Sequence, residues 1–234
     1  AEPDGDFLPA GQGVAIGNGW SWISEAWSLF EGNRGVAIGM FIIFVALSIL
    51  PRLVPIIGPV AAYLLMPVLS GGVMLGCDAL RRGEKLEVSH LFAGFRMNTG
   101  RLVGVGGFLL VSFVAILALV FLIFGAGMLG IFTSGMVGQQ PSPEQMGTIG
   151  LTMVVALLVI FGLSIPVYMA LWFAPALIVL NDMPVGAALK ASFFGCLKNV
   201  VPFLVWSVVF FVLAILASIP LLLGWLLLGP VVLG

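Results

Sequence analysis

Charge is what this 234-residue chain has least of: only 8% of it is Asp, Glu, Lys or Arg, where an ordinary soluble domain carries roughly a quarter. Histidine occurs once, at His90, and cysteine twice, at Cys77 and Cys196. One imidazole excludes a bis-histidine haem and leaves a serine or cysteine nucleophile without its usual base anywhere but near residue 90. Two cysteines so far apart make neither a disulfide framework nor a zinc site, and both read as small apolar packers. The net charge of -1 provides no overall electrostatic footprint for nucleic acid. The opening stretch AEPDGDFLPAGQG lacks the basic and apolar regions of a signal peptide, so residues 1–18 read as a flexible lead-in.

Apolar residues are what fills the space, at 61% of the chain. A water-soluble globule of this size could not hide that much apolar surface, so the bilayer is the solvent for most of it. A hydrocarbon core about 30 Å thick asks for about 20 apolar residues per helical crossing. Residues 35–50 form the first such run, ended by PRLVPIIGP, and a second extends from Val60 to the charged run RRGEK at 81–85. Residues 102–132, 149–180 and 200–218 make three more, and IPLLLGWLLLGPVVLG reads as most of a sixth. Between spans three and four lies GMVGQQPSPEQMG, a turn-rich loop without Lys or Arg. Counting loops on alternate sides puts Arg34, Arg81, Arg82, Lys85, Arg96, Arg101, Lys190 and Lys198 on one side and Arg52 on the other. That bias predicts cytoplasmic termini.

Three surface segments precede the hairpins. FAGFRMN (92–98) aligns with FFGCLKN (193–199) at Phe, Gly and Asn, with an offset of 101 residues, and WSLFEGN (27–33) again puts an aromatic six places before Asn. The reading is an all-α polytopic bundle, about six transmembrane helices in three pseudo-repeated hairpins, each introduced by a cytoplasmic interfacial amphipathic helix. The repeat units are about 19–80, 86–180 and 184–234, within one membrane domain over 19–234. At helical spacing Trp20, Ile23, Trp27 and Phe30 share a side of the first segment; Val88, Leu91, Phe92, Phe95 and Thr99 share one in the second; Val185, Leu189, Ser192, Phe193, Cys196 and Val200 share one in the third. The three asparagines, Asn33, Asn98 and Asn199, are expected to end their helices in the left-handed conformation that Asn tolerates. His90 falls on the polar side of its segment and is replaced by Ala191 in the third copy, which favours a solvated histidine over a ligand.

The pieces EVSHLFAGF and WSWISEAWSLF resemble an uncharacterised family of proteobacterial multi-pass inner-membrane proteins, over residues from about 20 to the end, with HLFAGF the most specific mark. The resemblance implies a bacterial inner-membrane location and six helices, and brings no activity or catalytic residue to carry over. In the family pattern the last span continues into a cytoplasmic tail, so the natural protein is expected to extend past Gly234.

A search for chemistry finds little. No ionisable residue sits at mid-span, where it would cost at least about 2.5 kcal/mol. Asp78 reads as a local ion pair with Arg81 or Arg82, and GVGG (104–107) as close helix packing rather than a phosphate loop, as do the pairs Gly72/Gly76 and Gly100/Gly104. The prolines Pro67, Pro166, Pro175, Pro202, Pro220 and Pro230 read as kinks, or alternatively as interrupted helices around a cavity. No cofactor or metal is expected. The leading expectation is a non-enzymatic accessory, assembly or stabilising subunit whose partners are the lipid bilayer and other membrane-protein subunits. The partner- or lipid-contact candidates are Trp20, Trp27, Phe30, Phe92, Phe95, Phe193, Arg96, Arg101 and Lys198. The alternative is a transporter or scramblase-like protein for a lipid or small hydrophobic solute, and a third reading is a sensor of bilayer state.

Overall fold

The computed structural model describes residues 11–55, 57–136, 138, 142–219 and 223–233. The first ten residues of the lead-in, most of the turn between spans three and four, and residues 220–222 of the sixth apolar run lie outside that set. The described residues form an all-α polytopic bundle of nine α-helices: α1 (Asn18–Leu29), α2 (Arg34–Ile49), α3 (Ile57–Arg81), α4 (Thr99–Met136), α5 (Pro143–Trp172), α6 (Ala174–Asn181), α7 (Val185–Lys198), α8 (Val200–Ser218) and α9 (Trp225–Leu233). Short 3-10 helices cover Leu50–Leu53 and Val88–Phe95. Five stretches are long and apolar enough to cross a bilayer, and they match the first five runs read from the sequence. The sixth run contributes α9, nine residues long, well short of the roughly 20 that a crossing needs.

Two compact units divide the described chain: residues up to Gly107 together with those from Met169 onward, and Phe108–Tyr168 between them. In the first unit α3 is the hub, with half of its membrane-length window buried against only 6% for α4. The cause is compositional. Gly58, Ala62, Gly71, Gly72, Gly76 and Ala79 give α3 buried small residues on which neighbours can lie close. On one side Leu69, Val73 and Cys77 pack with Phe30, Ala37, Met40, Phe44, Leu86 and Leu91. On the other, Val68 packs with Leu102, Val105, Ala174, Ile178, Val179 and Ala188.

The tightest seam joins α3 to the 88–95 segment. A methyl placed on Gly72 would run into the Leu91 carbonyl oxygen, and one placed on Gly94 would run into that of Val68. The two glycines thus face each other's elements reciprocally, backbone against backbone. Gly76 completes the row: a Cβ there would stand 2.9 Å from Leu86 Cδ1 and 3.2 Å from His90 Cβ. The Gly72/Gly76 spacing read from the sequence is therefore a packing surface. Gly104 meets Val185, and Gly106 lies against the Tyr63–Leu64 backbone, whereas Gly100 meets nothing within 4 Å and does not take part.

The second unit consists of residues 108–168, from within α4 to within α5. Its turn is shorter than the sequence suggested, because α5 already begins at Pro143. Ser142 and Gln145 cap it reciprocally: the Ser142 N–H donates to Gln145 Oε1 (2.8 Å) and the Gln145 N–H to Ser142 Oγ (3.2 Å). With Pro143 in the first turn and Glu144 beside the helix N-terminus, SPEQ is a complete helix start. Ile116 and Val120 are buried here, while Leu122, Phe132, Leu151 and Phe161 are more than 60% exposed.

If the seam governs the first unit, Gly72→Ala and Gly94→Ala will each cost about 1–3 kcal/mol or more, because a carbonyl oxygen in a packed helix cannot step aside. Gly100→Ala serves as the neutral control. Thermal melts of detergent-solubilised protein test this, and a Gly72→Ala melt at the wild-type midpoint would refute it.

Candidate functional site at the interfacial segments

The segment Val88–Phe95 is a 3-10 helix, and that changes which side chains share a side. In this geometry residues i and i+3 eclipse. Leu91 and Gly94 therefore form the buried row against α3, and Phe92 and Phe95 form the next row outward, their ring centroids 6.4 Å apart. The α-helical wheel that put Leu91, Phe92 and Phe95 in one stripe is corrected here. The approach of the backbone to Gly72 admits only the thin, eclipsed row. His90 closes the start of the segment, its Nδ1 accepting the Glu87 N–H at 3.1 Å, while the Ser89 hydroxyl donates to the Glu87 carboxylate at 3.0 Å. The single histidine thus has a structural task, capping an orphan backbone donor.

Of the three asparagines only Asn98 is left-handed, at φ 56°; its Nδ2 donates to the Ile178 carbonyl, fastening the start of α4 to α6. Asn33 and Asn199 have φ of -130° and -117°. Instead of ending helices in the left-handed state, they lie at the junctions where α2 and α8 begin. Asn199 is buried because all its polar atoms are used. Its Oδ1 accepts the Val14 N–H (2.8 Å), and its Nδ2 donates to the Gln12 (2.7 Å) and Gly195 (2.8 Å) carbonyls. Lys198 Nζ donates to the Gly11 carbonyl at 3.1 Å. The described part of the lead-in is thereby tied to the end of α7.

Ser192, on the apolar side of α7, is 1% exposed and sits inside another helix's hydrogen-bond ladder. In an unbroken helix the Phe173 N–H would bond the Met169 carbonyl. Here it donates to Ser192 Oγ (2.9 Å), and the Ser192 hydroxyl in turn donates to the Met169 oxygen (2.7 Å). One hydroxyl bridges the gap between α5 and α6, the kind of inserted group that bends a helix sharply, and Pro175 just beyond has no N–H to give. Cys196 Sγ approaches the same carbonyl at 3.4 Å, and burial pushes its thiol up to about 11, so it stays neutral at physiological pH. Pro67 and Pro175, where a polar cavity was conceivable, are both buried beside apolar packing, and Tyr168 is exposed.

In α1, Gly19 decides the orientation. It lies against the Pro202 carbonyl and the Trp206 N–H of α8, so α1 packs through Gly19 and Trp22, the latter with its ring 5.3 Å from that of Phe203. Trp20 and Trp27 consequently face outward, at 58% and 43% exposed. Phe30 parts company with them: it is buried in the α2–α3 core and unavailable to a partner. The Arg34 guanidinium stands over the Trp27 ring (5.7 Å) and pairs with Glu31 (3.2 Å). Beneath them, a cleft of about 20 Å³ between α1, α2 and α9 has room for little more than a water-sized group. Rings continue along α8: Phe203 and Trp206 meet Trp172, and Trp206 stacks on Phe210.

The remaining contact candidates separate by how their charge is used. Arg101 donates to the Asp182 carbonyl and pairs with its carboxylate, a local anchor between α4 and α6. Lys198 is engaged as described. Phe193 is half-buried against Phe194. Arg96, at the end of the 88–95 segment, is exposed and has no ion-pair partner among the described residues. Asp78 pairs with Arg82 (3.1 Å), as its spacing foretold. Ser192 and Asn199 were missed as tertiary anchors, although a serine on an otherwise apolar stripe was the visible signal.

The chain is 31% identical over 206 residues to a probable inner membrane protein of Burkholderia thailandensis, a similarity that covers 86% of this chain and 75% of that protein. No family profile matches it. No solved structure matches it either.

Two outcomes follow from the α5–α6 break. Ser192→Ala will cost about 1–3 kcal/mol by leaving the Phe173 N–H unpaired; a loss under about 0.5 kcal/mol would mean that the ladder closes without the hydroxyl. Cys196, as a buried neutral thiol, will resist maleimide at neutral pH in the folded protein and react on denaturation, as read by mass shift.

Proposed function

This chain belongs to the family of that Burkholderia thailandensis inner-membrane protein, and from that premise we propose a multi-pass inner-membrane protein, N-terminus in the cytoplasm, whose work is contact rather than catalysis. It serves as an accessory, assembly or stabilising subunit of a larger membrane complex.

The observation that carries this reading is the length and surface of α4. At 38 residues it is about 57 Å long. Tilted by 40°, the steep end of what membrane helices adopt, it still rises about 44 Å, against a hydrocarbon core of about 30 Å. Its final turns carry Leu129, Phe132 and Met136, all exposed, and Met146 is exposed early in α5. The three residues of α4 lie past Gly127, where the membrane-length stretch of that helix ends. Apolar surface in that position calls for cover from another protein. The cytoplasmic N-terminus is supported by the lopsided distribution of Lys and Arg.

A carrier for a lipid or small apolar solute is the second reading, favoured by the interrupted helix at Phe173, since broken helices commonly line transport sites.

Gentle native purification with identification of co-purifying proteins tests the choice. A membrane-protein companion retained by wild type and lost in Phe132→Glu, at unchanged abundance of the chain, is the expected result. A clean monomer without a companion would sink the subunit reading and move the balance to the carrier.

A further inference from the structure

The 88–95 segment joins two membrane-length helices: it follows α3, whose span closes at Arg81, and three residues separate it from α4. Around it the carboxylates are occupied. Asp78 and Glu84 both hold Arg82, Asp182 holds Arg101, and Glu87 accepts the Ser89 hydroxyl. Arg81, Lys85 and Arg96 have no carboxylate in ion-pair contact among the described residues. Beside Arg96 stand the exposed rings of Phe92 and Phe95, on a platform that cannot swing because Leu91 is fully buried and the Gly72/Gly94 seam fixes the backbone.

We propose that this face is a docking surface for anionic phospholipid, with Arg96 on a phosphodiester, Lys85 at the other end of the segment facing the same anionic surface, and the Phe92/Phe95 pair wedged at the headgroup level. Charge complementarity selects the occupant: uncommitted cations beside exposed rings suit a surface that is anionic outside and apolar beneath, which an acidic soluble protein does not offer. Exposed Phe rings on a surface segment bury at the boundary of headgroups and acyl chains, and each base close to an anionic leaflet adds about 1 kcal/mol, roughly a fivefold preference. The 3-10 geometry matters because it holds both rings on one outward row. The surface owes nothing to any protein partner, so it stands or falls separately from the subunit reading.

The test uses the full chain in nanodiscs of phosphatidylcholine alone or with one third phosphatidylglycerol. The readouts are phosphatidylglycerol co-retained on native mass spectrometry and backbone exchange over residues 88–98. Wild type is expected to enrich phosphatidylglycerol and to slow exchange in the mixed discs. Lys85→Gln and Arg96→Gln should each cut the enrichment about fivefold, Phe92→Leu/Phe95→Leu should speed exchange in the mixed discs, and Arg52→Gln should do neither. Equal enrichment in a Lys85→Gln/Arg96→Gln double variant would overturn the proposal. So would the same protection from inorganic phosphate added to phosphatidylcholine discs, which would make this a soluble-anion site. Melting in phosphatidylcholine discs, expected to be unchanged, confirms that the variants are folded.

Discussion

Backbone touching backbone across the glycine face of α3 is the contact on which the first unit is organised. Because Gly72 and Gly94 bring main chains together, Leu91 reaches full burial, Gly76 admits Leu86 and His90, and the 88–95 stretch becomes a fixed part of the molecule instead of a loose interfacial helix. Small residues matter more here than large ones. Lipid tails are as apolar as leucine, so nothing is gained by merely hiding apolar area, and association depends on close packing and on hydrogen bonds that lipid cannot supply.

The second organising demand is that main-chain polar groups find partners inside the protein where water is absent. The chain meets it with a few short polar side chains. Ser192 bridges the α5–α6 gap, Asn98 takes a carbonyl from α6, and Asn199 satisfies Gly195 together with two groups of the lead-in. Each is a polar residue spent on another element's backbone. None of these three needs a ligand to account for its position. The sole histidine needs none either, since its Nδ1 accepts the Glu87 N–H at the start of its own segment.

Composition and run length made the all-α, multi-span character and the first five spans readable, because bilayer thickness leaves few alternatives. Local electrostatics was readable too, as Asp78 and Arg82 show. What could not be read were the features set by three-dimensional approach. The rotation of α1 follows from Gly19 meeting α8, so the wheel that grouped Phe30 with Trp20 and Trp27 joined a core residue to two outward ones. The 3-10 geometry at 88–95 follows from the glycine seam, which a periodicity tuned to 3.6 residues does not detect. Two of the three asparagines adopt ordinary backbone angles because their side chains or carbonyls are needed by neighbours, a requirement invisible without those neighbours. The apolar excess of α4, by contrast, was apparent as a run too long for its membrane.

Asn199 grips backbone groups at residues 12 and 14, and it is separated from Val14 by 185 positions. Synthesis proceeds from the N-terminus, so this knot is among the last to be tied: the opening stretch waits, unfastened, until α7 has left the ribosome. Protease access to residues 11–17 would then report how far assembly has progressed, making the earliest-translated described segment a late marker of maturation.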